Sequence, residues 1–251
     1  MLLTEIDAVN WNAIPTPRPR PRTAGGHDGA RTGRPDPAAG LRALAAARDL
    51  TAAASAVSTL TSGSLRRGRT GEVLPAAVVA APFLLDIVER GHPHARESAV
   101  VLLDGAMRSA PLADFSRFRT TAGHDAPLCC AIAELVRARR ESLSKCGRSG
   151  EYLLATSDAH WRFDIREAAG ASGDVLALGT LQGALPAPSF GGELHHGGSA
   201  TAVGTVTVEC PPVRGAAEAC LRLAGLAAAP TAGDSLAGAV LYPGTCGDRE
   251  H

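Results

Sequence analysis

Two histidines and a glutamate, His92, His94 and Glu97, have the side-chain types and the spacing of a metal site. His94 and Glu97 are three residues apart, which places them on one face of a helix. Two imidazoles and a carboxylate bind zinc or a similar ion and leave a coordination position open. The same residues also fit an ordinary helix start, because Pro93 suits the first turn and the helix dipole stabilises an acidic side chain there. Both interpretations are compatible with this segment.

The adjacent cysteines Cys129 and Cys130 form a second candidate site, since they begin a predicted helix close to His124 and Asp125. A thiol at a helix N-terminus can have its pKa lowered enough to act as a nucleophile. Unpaired cysteine is also among the most frequently buried residue types, and neighbours on a helix point about 100° apart. The pair therefore supplies either a nucleophile or two core side chains.

The C-terminal third of the sequence has the cysteine and histidine content of a zinc site. These residues are Cys210, Cys220, Cys246, His195, His196 and His251. Zinc ribbons and fingers carry paired ligands at short spacing, and this sequence has no C-x-x-C motif. Scattered thiols and histidines are the alternative interpretation. The glycine pairs beside the two adjacent histidines match neither a phosphate-binding loop nor a dinucleotide fingerprint, so no cofactor is expected.

Three arginines, Arg66, Arg67 and Arg69, lie in a predicted turn between helices. Turn charges are usually solvated, which is the simpler interpretation. Loops at one edge of stacked helix pairs also tend to carry recognition, so this basic turn is the predicted binding surface for an acidic partner.

Composition restricts the classes of partner. The chain has 251 residues, with 25 basic and 25 acidic side chains that cancel, so no overall field attracts nucleic acid or an anionic membrane. The longest apolar run, 73–88, is shorter than the roughly 20 residues of a membrane span. Because the start of the chain lacks the pattern of a secretory signal, we expect six reduced cysteines and a cytoplasmic location.

Most of the chain up to residue 170 has helical periodicity. Asp36 and Pro37 form a helix start, and Gly91 followed by Pro93 separates two apolar helices. Pro82 removes one backbone donor inside the third helix, which predicts a kink or a break there. Helices are predicted over approximately 37–48, 51–63, 72–90, 93–110, 126–145 and 150–168.

The signals change after Gly170, where glycine is frequent and segments are short. Alternating valine and threonine over 203–208 predicts a strand, 239–242 suggests another, and 215–226 is compatible with a helix. These patterns divide the chain into an N-terminal docking arm, a disordered linker rich in proline and arginine, a helical-hairpin domain and a C-terminal cap or α+β appendage. Their ranges are 1–17, 18–36, 37–170 and 171–251.

The best-defined helix pair resembles those of HEAT and armadillo repeat proteins, especially the divergent versions in actinobacterial proteins. The residues that carry the resemblance are Ala80-Ala81-Pro82-Phe83-Leu84-Leu85, Gly91-His92-Pro93, Ala95-Arg96-Glu97 and Leu102-Leu103. Membership would imply a mainly α fold of stacked antiparallel helical hairpins, here a short array with a small irregular α+β segment at its end. It would also imply a surface that binds another protein.

The function expected from these patterns is a non-enzymatic scaffold that binds a protein partner, as a neutraliser or regulator of that partner. No nucleic acid or membrane partner is expected, and no oligomeric state follows from the pattern. The alternative is a small metal-dependent or cysteine hydrolase that uses His92, His94 and Glu97, or the C-terminal cysteines and histidines. Enzymatic activity is therefore the less favoured of the two hypotheses.

Overall fold

The computed structural model of this protein describes residues 2–15, 36–67, 70–112, 115–120, 123–171, 173–212, 217–226 and 236–247. The chain forms two compact units, an N-terminal unit over Met1–Ser116 and a C-terminal unit over Arg117–His251. The predicted linker over 18–36 falls outside the described residues except for Asp36, and so do Arg69 and His251.

The N-terminal unit is helical. Its helices are α1 (Leu2–Ala8), α2 (Pro37–Ala46), α3 (Leu50–Thr61), α4 (Ala76–Arg90) and α5 (Pro93–Arg108), with a 3-10 turn at Trp11–Ala13 and a short hairpin of β1 (Arg66–Arg67) and β2 (Glu72–Val73).

Local capping explains where these helices start. The Asp36 carboxylate accepts a hydrogen bond from the Ala38 amide at 2.9 Å, and Asp49 accepts one from the Ala52 amide at 2.8 Å. Helix α4 starts later than predicted, because Glu72 belongs to β2. The predicted break at Pro82 is absent, since α4 continues through this residue to Arg90.

Apolar packing forms the core of the N-terminal unit. Helix α4 is buried on most of its circumference, as expected from its composition. The Trp11 indole donates a hydrogen bond to the Ile6 carbonyl at 3.0 Å, and its ring centroid lies 6.2 Å from that of Phe83. The indole thus satisfies its polar group locally while its rings cover the apolar helix.

The C-terminal unit combines helices with a barrel. Its elements in chain order are β3 (Arg117–Arg119), β4 (Asp125–Pro127), α6 (Leu128–Ala138), α7 (Arg140–Leu143), a 3-10 turn (Ser144–Cys146), α8 (Arg148–Asp158), β5 (Arg162–Ala171), β6 (Asp174–Gln182), β7 (Ser189–His196), β8 (Ser199–Cys210), β9 (Glu218–Leu223), β10 (Val240–Pro243) and α9 (Gly244–Gly247).

Six antiparallel strands close the barrel in the order β10-β5-β6-β9-β8-β7, and β7 pairs with β10 to complete it. Strands β7 and β8 are joined by Gly197 and Gly198, both with positive φ, as a two-residue hairpin turn requires. Closure leaves no unpaired sheet edge in this part of the unit.

The predicted sixth helix, over 150–168, is wrong in its second half. Helix α8 ends at Asp158, and Trp161, Phe163 and Ile165 instead point into the barrel core. The reason is visible in the residues themselves, since apolar and charged side chains alternate from Trp161 to Ile165 with the period of a strand. The alternation of this segment therefore indicates its secondary structure better than its aromatic content does.

Four further predictions concern the same unit. The predicted helix over 126–145 is divided into α6, α7 and a 3-10 turn, and the segment 215–226 contains strand β9 in place of a helix. The strands predicted at 203–208 and 239–242 are confirmed within β8 and β10.

The mainly α fold class and the HEAT or armadillo resemblance are therefore wrong. Pairs of helices do exist in the N-terminal unit, but a closed six-stranded barrel forms the centre of the C-terminal unit. Stacked helical hairpins cannot account for a barrel, because repeat proteins bury their faces only against similar neighbours.

Two other expectations have different outcomes. The division of the chain at residues 17, 36 and 170 stays a prediction. None of the helices in the described part of the chain combines the length and the apolarity needed to cross a membrane.

Candidate metal centre

Three cysteines and a histidine meet inside the C-terminal unit. Cys129, Cys130, His160 and Cys246 each offer one ligand atom, and these four atoms all lie within 4.8 Å of one another. Their side chains are 2%, 0%, 6% and 3% exposed. We call this group the Cys3His cluster.

Three separate parts of the fold supply the cluster. Cys129 and Cys130 lie in the first turn of α6, directly after β4 ends at Pro127. His160 lies in the turn that ends α8, where its amide donates to the Ser157 carbonyl at 3.1 Å. Cys246 lies in α9, which follows β10 at once. Because β10 closes the barrel by pairing with β7, barrel closure determines the position of the fourth ligand, Cys246.

The four side chains already contact one another. His160 Nδ1 lies 3.3 Å from Cys246 Sγ. Hydrogen bonds from Cys130 and Cys246 hold the pKa of the Cys129 thiol well below its usual range, while burial raises the pKa of Cys130. All three cysteines are free thiols. No disulfide therefore joins these three sulfurs.

The donor set fits zinc. Three thiolates and one imidazole are a common ligand set of structural zinc sites, and thiolates are poor ligands for magnesium or calcium. Zn–S bonds of about 2.3 Å place tetrahedral sulfurs about 3.8 Å apart. The spread of up to 4.8 Å is within about 1 Å of that arrangement, and the 3.3 Å contact is close to it. Small side-chain movements would complete a tetrahedron.

The cluster is suited to a structural role more than to catalysis. Catalytic zinc usually has three protein ligands and a water molecule, whereas here four protein side chains are available to complete a tetrahedron. All four side chains are also buried, so a substrate has no direct access to the sulfurs. The arrangement can hold an ion and cross-link three segments of chain.

A second polar group lies elsewhere in the C-terminal unit. Arg117 on β3 donates to both carboxylate oxygens of Glu193 on β7, at 2.7 and 2.8 Å, and His195 Nε2 also contacts this carboxylate. Burial alone would raise the pKa of Glu193, but the hydrogen bonds from Arg117 and His195 outweigh it and lower the pKa to about 2. Glu193 is therefore ionised at neutral pH and holds the β3–β4 hairpin against the barrel.

A pocket of about 620 Å³ adjoins this ion pair. Its lining includes Arg119, His124 and His196, together with the turn between β7 and β8. Burial lowers the pKa of His124, and its Nε2 atom is buried with no hydrogen-bond partner among the described residues. The pocket contains basic side chains, but its lining residues include no cysteine.

The structure places the first predicted metal site in the N-terminal unit. His92 precedes α5 at its N-cap, and its ring centroid lies 5.5 Å from that of His94. Glu97 is exposed on α5. None of the three belongs to the Cys3His cluster, and their metal role stays a prediction.

The predicted basic turn is partly engaged by its own unit. Arg66 donates to the Gly71 carbonyl at 3.0 Å and to the Ser109 hydroxyl at 2.9 Å, and Arg67 lies 3.6 Å from Glu72. Arg69 lies outside the described residues. A binding role for Arg66, Arg67 and Arg69 stays a prediction.

The cysteines of the C-terminal third separate from one another. Cys210 and Cys220 are neighbours across β8 and β9, while Cys246 joins the cluster. His195 contacts Glu193, and His196 lines the pocket. The sequence therefore contained three of the four cluster residues as candidates, but in two different groups.

His160 is the ligand that sequence reasoning missed. It is separated from Cys246 by 86 residues, and no short motif links any of the three segments. The available signal was a histidine placed between a helix end and the first barrel strand, which alone predicts nothing about a metal.

Comparison with known proteins gives no further information about the site, since no family model, no curated protein and no solved structure matches this chain.

Proposed function

We propose that this protein is a zinc-binding protein whose C-terminal unit is stabilised by a non-catalytic Zn²⁺ bound to Cys129, Cys130, His160 and Cys246. The observation that carries the proposal is the convergence of four buried ligand atoms within 4.8 Å from three distant segments. Buried polar side chains normally need partners, and zinc would satisfy all four ligands together.

Such an ion would act mainly on stability. Thiols must lose their protons to bind, so zinc binding depends on pH and contributes directly to the free energy of folding. The ion would tie α6 and the end of α8 to the chain that follows β10. This role agrees with the non-enzymatic function expected from sequence, and the protein partner stays a prediction.

The proposal includes a reducing compartment such as the cytoplasm. Three clustered thiols remain available as ligands only where thiols are kept reduced. The proposal includes a zinc ion, where the sequence patterns led us to expect no cofactor.

The alternative is a cysteine hydrolase, since His160 Nδ1 and Cys246 Sγ lie 3.3 Å apart, within reach of a base and its nucleophile. Burial of both side chains disfavours it. A hydrolase would have a thiol that alkylates rapidly at neutral pH, whereas zinc-bound sulfurs in a closed site react slowly.

The test is metal analysis of the full chain purified without chelator from zinc-supplemented cells. We expect about one equivalent of zinc in the natural protein and a loss of most of it in Cys130→Ser. Cys210→Ser is the matched control, because Cys210 is an exposed thiol outside the cluster and its loss leaves the zinc content unchanged.

Two results would overturn the proposal. One is a natural protein that stays nearly free of zinc after reconstitution under reducing conditions. The other is equal zinc content in Cys130→Ser and the natural protein. Rapid alkylation of Cys246 in a zinc-free protein would favour the hydrolase.

A further inference from the structure

Arg137 is an unusual arginine, because its guanidinium is buried beside the Cys3His cluster. The residue is 9% exposed. Its Nη1 donates to the carbonyl of the ligand residue His160 at 2.8 Å and also to the carbonyl of Ser157. These bonds add to the hydrogen bonding of carbonyl groups at the end of α8, where the regular helical pattern stops.

The rest of the guanidinium is not satisfied in the same way. Nε and Nη2 are both buried, and neither has a hydrogen-bond partner among the described residues. Arg137 also forms no ion pair with a carboxylate group of any residue that the structure describes. A buried cation with unmatched donors is costly, so capping α8 is an incomplete explanation for this residue.

The geometry of α6 directs this cation towards the cluster. Arg137 follows Cys130 by two helical turns, so both side chains lie on one face of α6. Side chains on a helix lean towards its N-terminus, which brings the guanidinium back along the helix towards Cys130. The bond to the His160 carbonyl approaches the same cluster from the other segment.

Electrostatics agree with this placement. Burial lowers the pKa of Arg137, and the largest opposing influence is the charge interaction with Cys130, ahead of Glu134 and Asp158. The guanidinium nevertheless remains cationic at any physiological pH. A Cys130 ionised by zinc binding would thus be the strongest negative partner of this arginine.

A zinc centre of this composition would itself need a cation. Zn²⁺ with three thiolates and a neutral imidazole carries a single negative charge. Burying that charge without a counter-ion is costly, as is burying Arg137 alone. The two penalties offset each other when the anion and the cation are neighbours.

We propose that Arg137 is the counter-ion and positioning residue of the zinc centre. It holds His160 through the backbone carbonyl and offers its unmatched N–H donors to the cluster thiolates. This inference rests on the proposed zinc site. Such partners around a metal commonly change metal affinity by 10- to 100-fold, roughly.

The test compares full-length Arg137→Gln and Arg137→Lys with the natural protein. The first readout is the zinc dissociation constant, from competition with a chelator of known affinity. The second is the absorption spectrum after replacement of zinc by Co²⁺, whose thiolate-to-cobalt charge-transfer bands report hydrogen bonding to sulfur. The control is Arg140→Gln, which removes a half-exposed arginine paired with Asp158.

We expect Arg137→Gln to weaken zinc binding by about 10- to 100-fold and to move the charge-transfer bands to lower energy. Arg137→Lys keeps the charge, so it should recover a substantial part of the affinity. Arg140→Gln should change neither readout, because exposed ion pairs contribute little.

Natural affinity and an unchanged cobalt spectrum in Arg137→Gln would overturn this inference while leaving the zinc site in place. Equal loss of affinity in the Gln and Lys variants would also overturn it, since the charge would then be irrelevant. If Arg137→Gln does not fold, the cobalt spectrum of Arg137→Lys decides alone, because lysine keeps the charge but loses the guanidinium donors, and natural band positions would then contradict the inference. A natural protein that binds no zinc would defeat both proposals.

Discussion

The two units of this protein bury different kinds of side chain. The N-terminal unit packs alanine, leucine and valine from its helices, and its buried Asp86 pairs with Arg90 one turn away at 2.8 Å. The C-terminal unit buries an arginine, two histidines and three clustered thiols as well as its barrel core. Area removed from water stabilises the first unit, whereas the second also depends on satisfying its polar groups.

This difference has a structural origin. Helices satisfy their own backbone and need only an apolar stripe to pack. A barrel whose ends meet helices brings together turns and strand ends, where polar side chains must find partners from distant parts of the chain. The Cys3His cluster and the ion pair of Arg117 with Glu193 both lie at such junctions.

The sharpest test of the comparison is metal removal from the full chain. We expect a zinc chelator under reducing conditions to increase amide hydrogen exchange throughout α6, the end of α8 and β10, with a stability loss of several kcal/mol. Exchange in α4 and α5 should be unchanged, because no residue of the cluster lies in those helices. Equal loosening of both units would contradict the comparison.

A pair of large-to-small substitutions tests the apolar part of each unit. Trp161→Ala removes a fully buried side chain whose ring lies 5.1 Å from Phe190, and Phe83→Ala removes the contact with Trp11. Each should destabilise its own unit by about 3–5 kcal/mol.

The measurement for this pair is hydrogen exchange resolved by unit, at constant zinc. Because apolar packing supports both units, the two variants should differ in which unit loosens and not in the size of the effect. A much smaller loss for Trp161→Ala would mean that the polar contacts alone hold the barrel.

The smallest expected effect concerns pH. The pKa of Glu193 is about 2 in the folded protein, below the ordinary value of 4.5, so its ionised form stabilises the fold above about pH 4.5. That contribution is lost as the pH falls towards 2. Glu193→Gln should therefore reduce the free energy of unfolding by about 2–3 kcal/mol at pH 7 and by less at pH 3.

Denaturant unfolding at both pH values measures this effect. Acid release of zinc affects both proteins alike, so the difference between them isolates Glu193. Glu209→Gln is the matched control, because Glu209 pairs with Arg222 on the barrel surface and the loss of this exposed pair should cost much less than the loss of Glu193. A constant difference between Glu193→Gln and the natural protein over the whole range would show that Glu193 is not the titrating group.

Much of the N-terminal unit was predictable from local signals. Asp36 with Pro37 starts α2, and Gly91 with Pro93 separates α4 from α5, because caps and breakers act within a few residues. The same local reasoning failed at Trp161 to Ile165, where a run of helical signals continued into a segment with a period of two.

The sequence by itself determined the helix starts of the N-terminal unit, the strands around residues 203 and 240, and the presence of enough cysteine and histidine for a metal. Only the tertiary structure decided which of those residues meet. His160 and Cys246 become neighbours because six strands between and beside them close into a barrel, and Arg137 acquires its place by packing against the end of α8. Contacts over such separations depend on the whole fold, whereas caps, breaks and alternation depend on bonds within a few residues.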